Sequence, residues 1–136
     1  MTIELNKKTT KKFIVKDNDS AKQMGSGDLL VLATPALVAF MEEVAKDYLN
    51  SIIDKELGSV GSNINIDHLA PTLIGKEVII EAEVTEVIKE KIIKFAISAY
   101  ELTNSTEHKL IAKAEHTRVI INNKKFMSKL LGSNDV

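Results

Sequence analysis

The longest helical pattern in the sequence is residues 34–54, TPALVAFMEEVAKDYLNSIID. Thr34 suits the cap position of a helix, and Pro35 suits the first turn, where the N–H that proline lacks would have no partner. Behind them, apolar side chains recur every three or four residues, as on one face of a helix: Leu37, Val38, Met41, Val44, Ala45, Tyr48, Leu49 and Ile52. The pattern predicts an amphipathic helix over about 35–54, which Gly58 and Gly61 bring to an end.

Most of the chain outside this helix alternates between apolar and polar residues, which is the period of a β-strand. In chain order, the sequence predicts a strand at 9–16, a loop at 17–28, an extended segment from 61 to 66, long strands at 76–87, 91–101 and 110–121, and a short helix at 123–131. The three long strands form a meander, and the apolar face of their sheet must be covered by another element. Only the long helix is large enough. We therefore expect an α+β fold in which a curved antiparallel sheet wraps around one helix.

Length and composition exclude several classes of protein. The chain has 136 residues, which predicts a single domain over 1–136. Its 18 Lys and Arg nearly balance its 19 Asp and Glu, and it has no Trp, which argues against binding to nucleic acid. It has no Cys, which excludes a thiolate nucleophile and a thiolate metal site. No two His residues have helical metal-ligand spacing either, so we expect neither a metal nor another cofactor.

The N-terminal segment bears on where the protein is found. Residues 1–16 are polar and rich in lysine, which is not typical of a signal peptide. No stretch of the sequence approaches the roughly 18–20 apolar residues that are needed to cross a bilayer. We therefore expect a cytoplasmic protein that does not bind a membrane.

Three polar residues of the predicted helix are relevant to chemistry. Glu42 lies about 80° from the centre of the apolar face, whereas Glu43 projects roughly opposite, into solvent. A partly desolvated carboxylate at the position of Glu42 suits general-base catalysis, although a solvated flank gives the same pattern. Thr34 is a helix cap on one interpretation. On another, its hydroxyl lies in the positive potential of the helix N-terminus, where an oxyanion could be held.

The predicted strands add further candidates. His68 ends a polar segment and precedes a turn, so that its ring points either into a cleft or to water. Its neighbour Asp67 faces the opposite side and is a poor partner for it. Arg118 shares the inward parity of its strand with His116, and a buried charge there needs an ion-pair partner or a ligand.

Four stretches, taken together, resemble the fluoroacetyl-CoA thioesterase-like family of hotdog-fold proteins: ATPALVAFME at 33–42, GSVGS at 58–62, DHLAPT at 67–72 and HTRVI at 116–120. The resemblance implies a hotdog fold, usually paired into a homodimer. It also implies hydrolysis of an acyl-CoA thioester near the subunit boundary. It implies catalytic roles for Thr34, Glu42 and His68, with Gly61 and Arg118 near the substrate.

The resemblance leaves the individual roles open. Glu42 acts either as nucleophile or as general base on water, and Thr34 either hydrogen-bonds Glu42 or orients the attacking group. His68 polarises the carbonyl or protonates the leaving thiolate, and the backbone N–H of Gly61 serves the oxyanion. Arg118 either fixes a carboxylate or meets a CoA phosphate.

One departure from the family bears on the substrate. The family's fluoroacetyl-CoA enzyme has aromatic residues before its threonine, whereas residues 28–32 here are DLLVL. The difference predicts a different acyl-CoA, of short or medium chain. The alternative function is a non-catalytic acyl-CoA or small-acid binding protein on the same fold. The presence of Thr34, Glu42 and His68 together favours the enzyme, because a binding protein does not need all three.

Overall fold

The computed structural model describes residues 2–132, and its central element is a long helix. Three α-helices are present among these residues: α1 (Ala21–Met24), α2 (Thr34–Asn50) and α3 (Asn123–Leu130). The buried face of α2 follows the predicted period and comprises Ala36, Leu37, Met41, Val44, Ala45, Tyr48 and Leu49. The predicted central helix is therefore confirmed, and its apolar face lies in the core.

Both ends of α2 differ from the prediction. The cap residue is Ala33, and Thr34 is already helical, so the hydroxyl of Thr34 makes no capping hydrogen bond. The interpretation of Thr34 as the helix cap is wrong. At the other end the helix stops at Asn50 rather than near Asp54. There the Ser51 hydroxyl donates to the Tyr48 carbonyl, at 2.6 Å, and the amides of the following residues turn back to Leu49.

The sheet has five antiparallel strands: β1 (Lys8–Ile14), β2 (Leu57–His68), β3 (Glu77–Ile88), β4 (Ile92–Leu102) and β5 (His108–Asn122). Their order across the sheet is β1-β3-β4-β5-β2, so the predicted meander of three long strands is confirmed. The extended segment predicted from 61 to 66 is part of a longer strand. Gly58 and Gly61 lie inside this strand, because β2 pairs with β5 through both positions.

The inward faces of the central strands match the predicted alternation. In β3 and β4 the predicted inward residues are all buried: Val78, Ile80, Ala82, Val84, Ile93, Phe95, Ile97 and Ala99. In β5 the alternation holds from Ala112 to Ile120 but fails at Leu110, which is only partly buried. A register shift between β4 and β5 places Ile111 in the core instead.

The segment before α2 is not the plain loop predicted at 17–28. It contains a 3-10 turn at Asp17–Asp19 and the short helix α1, which the Ser20 hydroxyl caps by accepting from the Gln23 amide. The Leu32 amide donates to the Thr72 carbonyl at 2.8 Å. This hydrogen bond ties the start of α2 to the turn that follows β2, and it brings Thr34 next to His68. No helix among residues 2–132 is long and apolar enough to cross a membrane.

Candidate active site

Thr34 and His68 form a direct side-chain pair. Thr34 is the first residue of α2, and His68 is the last residue of β2. The Thr34 hydroxyl lies 2.8 Å from His68 Nδ1. His68 Nε2 is buried and has no hydrogen-bond partner within the described part of the chain. Burial lowers the pKa of His68, while the Ala70 backbone acts in the opposite direction. The ring is therefore neutral near pH 7, with one nitrogen unused by the protein.

The Thr34–His68 pair opens into a cavity of about 380 Å³. Much of the cavity wall consists of small side chains, namely Ala21, Ser26, Ala33 and Ala70. Leu69 lines the same cavity and is 57% exposed. Leu29 and Leu30, which precede the lining residue Val31, are also exposed. The cavity therefore combines a polar pair with apolar side chains that are exposed to solvent.

Glu42 belongs to a second cluster, farther along the same helix. It lies eight residues after Thr34, which corresponds to a rise of about 12 Å along an α-helix. Its Oε2 accepts a hydrogen bond from Arg118 Nη1 at 3.3 Å, and His116 Nε2 is 3.9 Å from the same oxygen. The side chain is 39% exposed, so the expected boundary position is what the structure shows. The neighbouring Glu43 does not simply project into solvent, because its carboxylate binds Lys11 of β1.

Arg118 is buried, and its guanidinium is hydrogen-bonded on several sides. Nε donates to the Ser59 hydroxyl at 2.8 Å, and Nη2 donates to the Ser59 carbonyl at 3.1 Å. Nη1 faces His116 Nε2 at 3.1 Å as well as Glu42. Burial lowers the pKa of Arg118, and Glu42 opposes that shift. A guanidinium stays protonated under these conditions, so Arg118 is a fixed cation beside Glu42.

Gly61 lies directly beneath the Glu42 carboxylate. A Cβ atom at this position would lie 2.5 Å from Glu42 Oε2, 3.2 Å from His116 Cε1 and 3.4 Å from Arg118 Nη1. The absence of a side chain therefore lets the carboxylate approach the β2 backbone. Next to Gly61, the pairing of β2 with β5 shifts register before Asn63.

The structure thus divides the candidate residues into two groups. Thr34 and His68 are together, and Glu42, Gly61 and Arg118 are together. No hydrogen bond or ion pair within residues 2–132 joins one group to the other, and the Thr34 hydroxyl binds His68 rather than Glu42. Asp67 is exposed, as expected. Residues 2–132 contain no group of three or more His, Asp or Glu side chains that could hold a metal ion.

The sequence predicts no functional role for two residues that contact Arg118 of the second group, His116 and Ser59. His116 was expected to face inward with Arg118, and it does so, but its contact with the guanidinium was not foreseen. Ser59 was missed because the glycines on either side of it suggested a break. The signal was its spacing: residues two apart on a strand share a face, so Ser59 lies on the same side as Gly61.

The helix enclosed by a curved five-stranded antiparallel sheet is the hotdog fold, and the comparisons with known proteins agree with it. The family model for the fluoroacetyl-CoA-specific thioesterase, FlK, matches residues 15–124. The chain belongs to this family. Among curated proteins, no sequence matches the chain.

Solved structures of similar proteins support the same fold. The fluoroacetyl-CoA thioesterase FlK superposes with a TM-score of 0.86 at 21% identity, over 97% of this chain and 98% of that one. A variant of FlK in complex with fluoroacetate and CoA gives 0.82 at 22% identity, over 91% and 99%. A Thermus thermophilus hypothetical protein of the thioesterase superfamily gives 0.84 at 19% identity, over 95% and 91%. The predicted hotdog fold and family are therefore confirmed.

Proposed function

We propose that the protein is an acyl-CoA thioesterase that hydrolyses an acyl-CoA to the free acid and CoA, with Thr34, Glu42 and His68 as catalytic residues. The observation that carries the proposal is the arrangement of Glu42. A buried guanidinium holds one carboxylate oxygen, and Gly61 lets the carboxylate lie close to the backbone. Nothing within residues 2–132 hydrogen-bonds the other oxygen, Oε1, which leaves it able to accept a proton from water or to attack a carbonyl.

The Thr34–His68 pair supplies the complementary group. In thioester hydrolysis, attack on the carbonyl carbon forms a tetrahedral oxyanion, which then expels the CoA thiolate. The His68 ring lines the cavity, and its Nδ1 shares a hydrogen bond with the Thr34 hydroxyl whose direction depends on the tautomer. An N–H of this ring turned towards the substrate would polarise the thioester carbonyl or protonate the departing thiolate. In both roles, Thr34 orients the ring.

We also propose that the protein is a homodimer with its active sites at the subunit boundary. Reacting groups must converge to about 3–3.5 Å from the atoms that they act on. Thr34 and Glu42 are separated by about 12 Å along one helix, so the two groups of one chain do not share one carbonyl. A second copy that presents its Glu42 group to the Thr34–His68 cavity would complete the site. The strand β2 ends the sheet and is open to such pairing.

The cavity supports a short or medium acyl chain as the substrate group. FlK is described as specific for fluoroacetyl-CoA. In this chain the segment that leads into Thr34 is leucine-rich and contains no aromatic residue. Leu69 at the cavity, with Leu29 and Leu30 nearby, offers apolar surface to an alkyl chain.

The proposal is tested by measuring thiol release from acyl-CoAs that range from acetyl to long-chain and aryl. The wild type is compared with Glu42→Gln and with Glu43→Gln, a matched control one residue away on α2. Turnover that is lost in Glu42→Gln and kept in Glu43→Gln is the expected result. Absence of turnover on every substrate by folded wild type would contradict the proposal and favour the non-catalytic binding protein. Light scattering that gives a mass near 15 kDa would contradict the dimer.

A further inference from the structure

The Glu42 cluster contains a histidine that the proposed reaction does not use. His116 lies on β5 two residues before Arg118 and is 2% exposed. Its ring stacks on Phe95 of β4, with the ring centroids 6.4 Å apart. Its two nitrogens contact Asn63 and Arg118. A buried, doubly hydrogen-bonded ring beside a candidate catalytic carboxylate calls for an explanation.

The partners of His116 fix its protonation state. Nδ1 lies 2.7 Å from the Asn63 carbonyl oxygen, which can only accept, so Nδ1 carries the proton. Nε2 lies 3.1 Å from Arg118 Nη1, which can only donate, so Nε2 must be the bare acceptor. One form of the ring satisfies both contacts, namely the neutral tautomer with its proton on Nδ1.

This tautomer completes the support of Arg118. Ser59 holds Nε and Nη2 along one edge of the guanidinium, and His116 accepts from Nη1. Because the guanidinium is planar, these contacts set both its position and its plane. The remaining hydrogen of Nη1 then points to Glu42 Oε2, at 3.3 Å.

Two charged side chains lie within 4 Å of the His116 ring nitrogens. Arg118 faces it from its own strand, and Glu42 faces it from α2. The neighbouring elements contribute the uncharged Asn63 carbonyl from β2 and Phe95 from β4. Glu115, Lys94 on β4 and Glu86 on β3 line a cavity that His116 also lines, but within residues 2–132 none of them forms a hydrogen bond or ion pair with its ring.

The balance of these surroundings keeps the ring neutral near pH 7. Burial lowers the pKa of His116, and so does the charge of Arg118. The hydrogen bond with Asn63 and the charge of Glu42 act in the opposite direction.

We propose that His116 is a positioning residue whose neutral ring holds Arg118 against Glu42 and whose protonation releases that contact. A second proton would occupy Nε2, so that two donors would face each other across 3.1 Å. Arg118 would then withdraw, and the imidazolium would compete for Glu42 Oε2. The effect on turnover rests on the proposed thioesterase function, whereas the tautomer and the release of Arg118 do not.

Two substitutions separate this role from simple packing. His116→Gln places an amide oxygen where it can accept from Arg118, and it cannot titrate. His116→Asn keeps a donor for the Asn63 carbonyl but is too short to reach Arg118. His108→Gln, at an exposed histidine, is the matched control. Nuclear magnetic resonance of the nitrogen-15-labelled protein reports the His116 tautomer and the solvent exchange of the Arg118 Nε–H during a pH titration.

The expected spectrum shows the Nδ1–H tautomer and a slowly exchanging Arg118 Nε–H, which begins to exchange as His116 gains its second proton. His116→Asn should speed this exchange at neutral pH and lower kcat by about tenfold to a hundredfold, with little change in KM. His116→Gln should preserve both the slow exchange of the Arg118 Nε–H and kcat, and it should remove the pH dependence of the Arg118 signal.

Three results would overturn the proposal. They are an Nε2–H tautomer of His116, an Arg118 Nε–H exchange rate that does not change when His116 is protonated, and a folded His116→Gln variant whose kcat is as low as that of His116→Asn. If His116→Asn does not fold, the wild-type titration and the Gln variant still decide. If the wild type hydrolyses no acyl-CoA, the proposed function fails, and the spectra alone decide the role of His116.

Discussion

Substituting Gly61 with alanine probes the Glu42 site directly. The added Cβ would lie 2.5 Å from Glu42 Oε2, which is closer than such atoms pack. The nearest atom is the end of a flexible, partly exposed side chain, so Glu42 can swing away, whereas the buried His116 ring, 3.2 Å from the added Cβ, must shift by a few tenths of an ångström. We therefore expect Gly61→Ala to fold with a small loss of stability and to lose the hydrogen bond between Arg118 and Glu42.

The size of the effect follows from that hydrogen bond. Hydrogen bonds to charged groups contribute about 1.5–3 kcal/mol. The 3.3 Å contact is long and the carboxylate is 39% exposed, which favours the lower part of that range. About 1.5–2 kcal/mol corresponds to a loss of roughly 10–30-fold in kcat/KM.

The assay is thiol release from the best acyl-CoA substrate, measured for Gly61→Ala, Glu42→Gln and the double variant. If Gly61 acts through Glu42, the double variant will be no slower than Glu42→Gln alone, because once the carboxylate is gone its position no longer affects turnover. Thermal unfolding checks that Gly61→Ala retains its fold. Wild-type turnover in folded Gly61→Ala, or losses that simply add in the double variant, would refute this reasoning.

Three further predictions concern the surroundings of the site. Ser59→Ala removes an acceptor from the buried Arg118 and should lower the free energy of unfolding by about 1–3 kcal/mol in urea. Substitution of the exposed Ser62 with alanine should change the free energy of unfolding by less than about 0.5 kcal/mol. Equal losses of stability in Ser59→Ala and Ser62→Ala would contradict the role of Ser59. Thr34→Val should reduce turnover by roughly tenfold because it removes the hydroxyl that binds His68, whereas Thr34→Ser should retain it; equal losses would argue against that hydroxyl. Finally, His68 and His116 both have lowered pKa values in the folded protein, so just below the reference value of 6.5 the unfolded chain binds more protons than the folded one. The free energy of unfolding should therefore fall as the pH drops below about 6.5. Urea titrations that show no such fall between about pH 7.5 and 5.5 would contradict this prediction.

Local pattern was a reliable guide where one face of an element is buried continuously. The alternation of β3 and β4 was predicted residue by residue, and so was most of the apolar face of α2, where Val38 is only partly buried and Ala36 is buried instead. Burial on one face requires the same spacing at every turn or pleat. The prediction failed at the ends of elements. Asn50 ends α2 because Ser51 turns back to Tyr48, and this depends on hydrogen bonds rather than on apolar spacing.

The edge strand shows a different limit. From the local sequence, Gly58 and Gly61 predict a break, because glycine disfavours regular structure in isolation. In the folded chain their missing side chains leave room for Asn123 and Glu42, while pairing with β5 keeps both residues in β2. Space for a neighbour that is distant in sequence cannot be read from the local sequence.

The sequence by itself determined the α+β layering, which follows from the periods of the helix and the long strands taken together. It also determined the boundary position of Glu42 and the inward direction of Arg118, because each of these follows from the period of a single element. Only the tertiary structure decided which of these residues meet. Thr34 binds His68 across 34 positions, and Glu42 binds Arg118 across 76. The physical reason is that the order of strands and their register set these distances. A one-residue shift of β5 would turn Arg118 to the outer face and leave Glu42 without its cation.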